Sequence, residues 1–177
     1  MVFFGFSLKA QDTLKNHFTA AVDLSPFSFE GFSVKIGVLP KKVKQTELAF
    51  EVFSMSIPEA VINLNPKNAN TGWEEKVKTG IAFYLDKKLG TRRSSFWAGF
   101  GGVHLNHSAT IGTSVFHYQQ LEYLLRINYK WFPLNKSGFY INPYIALAGR
   151  HKVGGENGAY ALTPFLIIPS VYLSWEI

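Results

Sequence analysis

Apolar and polar residues alternate along most of this chain with a period of two, the spacing of strands with unlike faces. The clearest stretch is 118–131. Leu121, Tyr123, Leu125, Ile127, Tyr129 and Trp131 share one face, and Gln120, Glu122, Arg126, Asn128 and Lys130 the other, with Leu124 the one intruder. In 139–149, Phe139, Ile141, Pro143, Ile145 and Leu147 oppose Tyr140, Asn142, Tyr144, Ala146 and Ala148. The last stretch sets Phe165, Ile167, Pro169, Val171, Leu173, Trp175 and Ile177 against Ser170, Tyr172, Ser174 and Glu176. Earlier stretches alternate less cleanly; in 95–106, Trp97, Val103 and Leu105 oppose Ala98, Gly102, His104 and Asn106. The pattern predicts strands over 17–24, 30–39, 46–56, 77–86, 95–106, 117–131, 138–149 and 163–176. Pro143 and Pro169 argue for edge positions, because proline cannot donate to a ladder.

One segment fits two templates. Across 71–90, Trp73, Val77, Ile81, Leu85 and Leu89 recur every fourth residue, with Thr71 and Glu74 as a capping box and Gly90 as a C-cap. The same residues also alternate, Val77, Thr79, Ile81, Phe83 and Leu85 against Lys78, Gly80, Ala82, Tyr84 and Asp86. The strands on both sides decide for strand. Eight strands close a barrel that side chains can just fill, and closure removes exposed edges.

The two faces then decide the solvent. The polar face mixes small residues, tyrosines and charges of both signs, as a tight interior would; the other face is Phe, Leu, Ile, Val and Trp, as a lipid-facing band would be. With strands running up and down, Trp97, Tyr129, Trp131, Phe139 and Trp175 fall at one end, where membrane-interface aromatics belong. Turns 39–45, 87–94 and 132–137 at that end are short and basic; 57–76, 107–116 and 152–162 at the other are longer and rich in Gly, Asn and Thr. A soluble lipocalin-like carrier also alternates, but it leaves the shared level of the aromatics unexplained. The expected fold is therefore all-β, an eight-stranded antiparallel up-and-down transmembrane β-barrel.

Composition agrees with this. Charged residues make up 17% of 177, against about 25% in ordinary soluble domains, and aromatics 16%. There is no cysteine, which excludes thiol enzymes, thiolate zinc and disulfide scaffolds. Net charge is +6 but its Lys and Arg form no basic stripe, so no nucleic-acid partner is expected; turns facing lipid headgroups account for it more simply. Residues 1–11 read as the remnant of a signal peptide or a disordered N-terminus, and 12–177 as the barrel domain. The uncharged 157–175 carries Pro164 and Pro169, which exclude a spanning helix there.

Residues 129–133 (Tyr-Lys-Trp-Phe-Pro), 138–144 (Gly-Phe-Tyr-Ile-Asn-Pro-Tyr) and the ending 169–177 resemble the small eight-stranded bacterial outer-membrane barrels of the OmpA/OmpX type. More narrowly, they resemble the outer membrane β-barrel domain proteins of unassigned function. The resemblance implies the bacterial outer membrane as location and its lipid as partner. The ending also resembles the C-terminal signal read by the barrel-assembly machinery, but finishes on Ile177 instead of Phe or Trp.

An eight-stranded barrel is plugged by its own side chains, so the expected role is structural, or binding of an external ligand or partner through loops. Lys35, Glu47, Glu51, Glu122 and Arg126 are the expected interior polar network. The alternative is an outer-membrane lipid-modifying enzyme, resembling barrels that deacylate lipid A, with His104, His107, Ser108 and His117 as candidates. A nucleophile needs a base in reach and a third group to orient it, and residues 103–117 contain no acid. A metal site from His104, His107, His117 and His151 is disfavoured, because strand residues three apart point to opposite faces. Gly99, Gly101 and Gly102 lack the helix and lysine of a phosphate loop. No metal or cofactor is expected, and enzymatic activity is left to the alternative reading.

Overall fold

The computed structural model describes residues 16–43, 45–134 and 138–177; the expected leader at 1–11 lies outside the described residues. Eight strands pair in sequence order, each antiparallel to the next: β1 (His17–Asp23), β2 (Phe32–Leu39), β3 (Thr46–Ile57), β4 (Glu74–Lys88), β5 (Ser95–Ile111), β6 (Ser114–Lys130), β7 (Phe139–Gly155) and β8 (Phe165–Glu176). β1 also pairs with β8, closing an up-and-down barrel. The segment with two templates is strand β4, and its helical spacing has no counterpart in the fold.

Partners traced from Phe18 through Val38, Leu48, Leu85, Phe100, Leu125, Leu147 and Ile167 climb the wall. The β1–β8 register, with Asp23 opposite Tyr172, brings the row back level with Ser28, ten positions above Phe18. Such a stagger over eight strands tilts them about 40° from the barrel axis. All eight residues in the row are apolar and stand on the outward phase of their strands.

The wall is uneven. β1 and β2 have 7 and 8 residues, whereas β5, β6 and β7 have 17 each. The long strands rise above the rest at the end away from Asn16 and Ile177, called the upper end below. Two short helices stand there, α1 (Leu24–Ser28) after β1 and α2 (Glu59–Ile62) after β3. The expected loop at 107–116 is instead paired strand, Ile111 facing Ser114 across Gly112 and Thr113. Gly112, at φ +54°, supplies the left-handed backbone that a two-residue hairpin requires. β7 likewise runs on to Gly155, into the loop expected at 152–162.

Neither proline marks an edge, which corrects that expectation. The β6–β7 ladder breaks opposite Pro143, between the pair Asn128–Tyr144 and the bridge Trp131–Ile141. Pro169 lies beyond Asp23, where β1 stops pairing with β8, so its missing donor removes no bond on that side.

Candidate functional site

The interior is built in two polar storeys separated by an apolar floor. In the lower storey Glu47, on β3, accepts from Thr19 Oγ1 at 2.6 Å and from Lys130 Nζ at 2.8 Å, with Lys35 Nζ 3.9 Å away. Arg126 Nε donates to Asp86 Oδ1 at 2.8 Å, a second guanidinium nitrogen meets Oδ2, and the guanidinium lies 3.7 Å from the Tyr84 ring centre. Glu51 accepts from Ser33 Oγ at 2.5 Å and from the Tyr84 and Tyr172 hydroxyls at 2.8 Å each. A buried carboxylate must recover the hydrogen bonds it loses to water: Glu47 and Asp86 do so with cations and Glu51 with three hydroxyls. Two glycines on β5 make the room. A Cβ at Gly99 would stand 2.0 Å from Asp86 Oδ1, and one at Gly101 would stand 2.5 Å from the Tyr84 ring. The two glycines thus make room for Asp86 and Tyr84 in the lower storey.

Above it Ala82, Val103, Leu105, Leu124, Ala146 and Ala148 form the floor, filled in by Phe53, Met55, Leu166 and Ile168. The upper storey centres on Glu75. His107 Nδ1 lies 2.8 Å from Glu75 Oε1, the Tyr118 hydroxyl donates to the same oxygen, and the Tyr160 hydroxyl donates to Oε2 at 2.5 Å. The His107 ring stacks on Tyr118, centres 4.7 Å apart and planes 7° from parallel. Arg150 Nε joins Glu122 at 3.0 Å and its other arm comes within 4.0 Å of Glu75; Gln120 donates to Glu122 at 2.6 Å.

The upper storey is roofed by the α2 loop and the loop after β7. Asn68, on the first, donates to Ala161 O at 2.7 Å and accepts from Ala161 N at 2.9 Å; Asn65 also reaches Ala161 O, at 3.1 Å. Trp73 packs edge-on to Tyr160 at 5.5 Å. Tyr160 therefore belongs to the roof and to the storey beneath. Burial and the Glu75 carboxylate push its hydroxyl well above the ordinary tyrosine value, so it stays a donor.

Lys35, Glu47, Glu51 and Arg126 stand in the lower storey and Glu122 in the upper, all buried. The expected network left out Asp86 and Lys130, although alternation had put both on the polar face, and it left out Arg150, which continues the inward phase of β7. Glu75 was hidden by a bulge. The β4 register shifts between Val77 and Thr79, so Glu75 and Val77 turn inward although Ile81 and Phe83, in step with them by count, face out.

The candidate catalytic residues are split. His107 points inside at 2% exposure, His104 lies on the other face from buried Val103 and Leu105, and His117 is exposed. Ser108 pairs with His117 across β5 and β6, yet no hydrogen bond joins Ser108 to a histidine among the described residues. The acid absent from 103–117 is supplied to His107 by Glu75 from the neighbouring strand, but among the described residues the hydroxyls bonded to Glu75 are those of Tyr118 and Tyr160, and no serine or threonine hydroxyl is bonded to the pair. His151 is exposed apart from these, and no three His, Asp or Glu side chains converge as metal ligands among the described residues.

On the outer wall Phe96 pairs with Tyr129 at 4.8 Å and Phe139 with Trp175 at 5.4 Å, and Trp131 is exposed beside them, all at the lower end. Trp97 is corrected: it lies inside at 4% exposure with Lys130 Nζ 3.9 Å over its ring. Val103 and Leu105 turn inward with it. The outward phase of β5 is Phe96, Ala98, Phe100 and Gly102.

Fold and interior together define a closed eight-stranded barrel, ionic inside and apolar outside. No family model matches the chain, and no curated protein matches it. Among solved structures it is similar to the crystal structure of Neisserial surface protein A (NspA), at 13% identity over 91% of each chain and a TM-score of 0.38. No residue role passes from that likeness to this chain.

Proposed function

We propose that the chain is an integral protein of the bacterial outer membrane, a solute-tight barrel whose upper loops meet an external partner. One observation carries this reading: the outward phase is apolar around the ring while the inward phase holds the ions. Phe83, Leu125 and Ile167 are 64%, 66% and 68% exposed, and a soluble carrier would turn such residues inward. Tyr129, Trp131, Phe139 and Trp175, with Phe96 in place of Trp97, then form the girdle at one membrane interface. The ending at Ile177 is the segment offered to the barrel-assembly machinery. The floor closes the lumen, and the tethered roof of residues 58–73 and 156–164 is the surface left for recognition.

Cell fractionation with unboiled and boiled gel samples tests the reading. The protein should sediment with outer membranes and migrate faster unboiled. A soluble protein with a single band would overturn the proposal and favour a lipocalin-like carrier.

A further inference from the structure

Resting on that membrane reading, the geometry points to a site for one negatively charged phospholipid on the outer wall of β1–β5. The wall there is dented by a groove of about 780 Å³, bounded by Phe18, Ile36, Leu48, Phe83, Phe100 and Gly102. Small residues make the dent: Ala20 and Gly102 face outward where their neighbours carry large side chains. A Cβ added at Gly102 would meet nothing within 4 Å, so the position opens on free space.

The groove occupies the lower half of the wall, with Phe18 and Ile177 at its lower end and lysines on the strand end and turn below the lining. Lys87 follows Leu85 on the outward phase of β4, opposite Thr46, and Lys41 and Lys42 stand in the turn just past β2. All three are exposed, and Lys87 Nζ also donates to Thr46 Oγ1 at 3.4 Å. The acids of the same strand ends, Glu47 and Asp86, face the interior and are committed to Lys130 and Arg126. A slot as apolar as an acyl chain, ending in lysines at the level of the aromatic ring, matches a lipid with its chain in the slot and its phosphate among the lysines. A zwitterionic headgroup brings its own cation to the same place. The headgroup is therefore anionic, and the lipid sits in the leaflet at the end holding the chain's termini.

The test reconstitutes the full-length barrel into nanodiscs of equimolar phosphatidylglycerol and phosphatidylcholine, then counts retained lipids by native mass spectrometry. One retained lipid is expected, phosphatidylglycerol over phosphatidylcholine by roughly fivefold. The triple variant Lys41→Gln, Lys42→Gln, Lys87→Gln should keep a lipid but lose the preference. Gly102→Phe, which fills the dent without touching the core, should lose the lipid of either kind. Each variant must still show the faster unboiled band. Equal retention of both headgroups by the unchanged protein, undiminished retention by Gly102→Phe, or a second protein copy in place of lipid would each overturn the site. A chain that never enters the nanodisc would instead overturn the membrane reading.

Discussion

The two storeys of the interior use the same chemistry on different supports. In the lower one, Glu47, Glu51 and Asp86 are held by side chains from strands alone, drawn from six strands of a hydrogen-bonded ring, β1, β2, β3, β4, β6 and β8. In the upper one, Glu75 takes a hydrogen bond from Tyr160, a loop residue whose position depends on the Asn68–Ala161 tether. The first is fixed once the barrel closes. The second is as rigid as the roof above it, because loops open locally at less cost than a closed sheet does.

The sharpest way to break that comparison is to damage the lower storey. Arg126→Ala leaves Asp86 buried without its partner and should cost about 3–5 kcal/mol, seen as a large fall in the urea midpoint of the reconstituted barrel. A loss below 1 kcal/mol would mean that water reaches the lower storey after all. Gly99→Ala brings a methyl group against Asp86 and the Leu85 carbonyl and should cost about 1–3 kcal/mol by the same measurement. Asn68→Ala should leave the global midpoint within about 0.5 kcal/mol while speeding protease cleavage in 156–164, because it frees only the roof. If Asn68→Ala lowered the midpoint as far as Gly99→Ala, the storeys would be one unit and the distinction would fall.

How much of this was legible depends on the strand. β6 and β8 keep one phase from end to end, and β7 does so up to the register shift opposite Gln119 and Gln120, so simple alternation found their inward and outward residues. β4 does not. Its bulge between Val77 and Thr79 cannot be counted from spacing, and it carried Glu75, the centre of the upper storey, to the wrong side of the wall. β5 misled for another reason. Its outward phase contains Ala98 and Gly102, so Trp97, Val103 and Leu105 read as the lipid face, although Phe96 and Phe100 on the opposite phase were the better guide. The stretch 107–116 read as a loop because Gly and Thr mark it as one of the longer connections at that end. Above the apolar belt, however, a strand is free to be polar on both faces, and only its partner strand reveals that it continues.

The apolar floor has an electrical meaning. It places Val103, Leu105, Leu124, Ala146 and Ala148 between two sets of fixed charges, an insulating layer between two polarisable ones. In a low dielectric, field lines concentrate and ions do not enter. A voltage applied across the protein would fall mainly over that thin layer, with Arg126 and Asp86 on one side and Arg150 and Glu122 on the other. On the membrane reading proposed above, the barrel would add capacitance and no current in a planar bilayer.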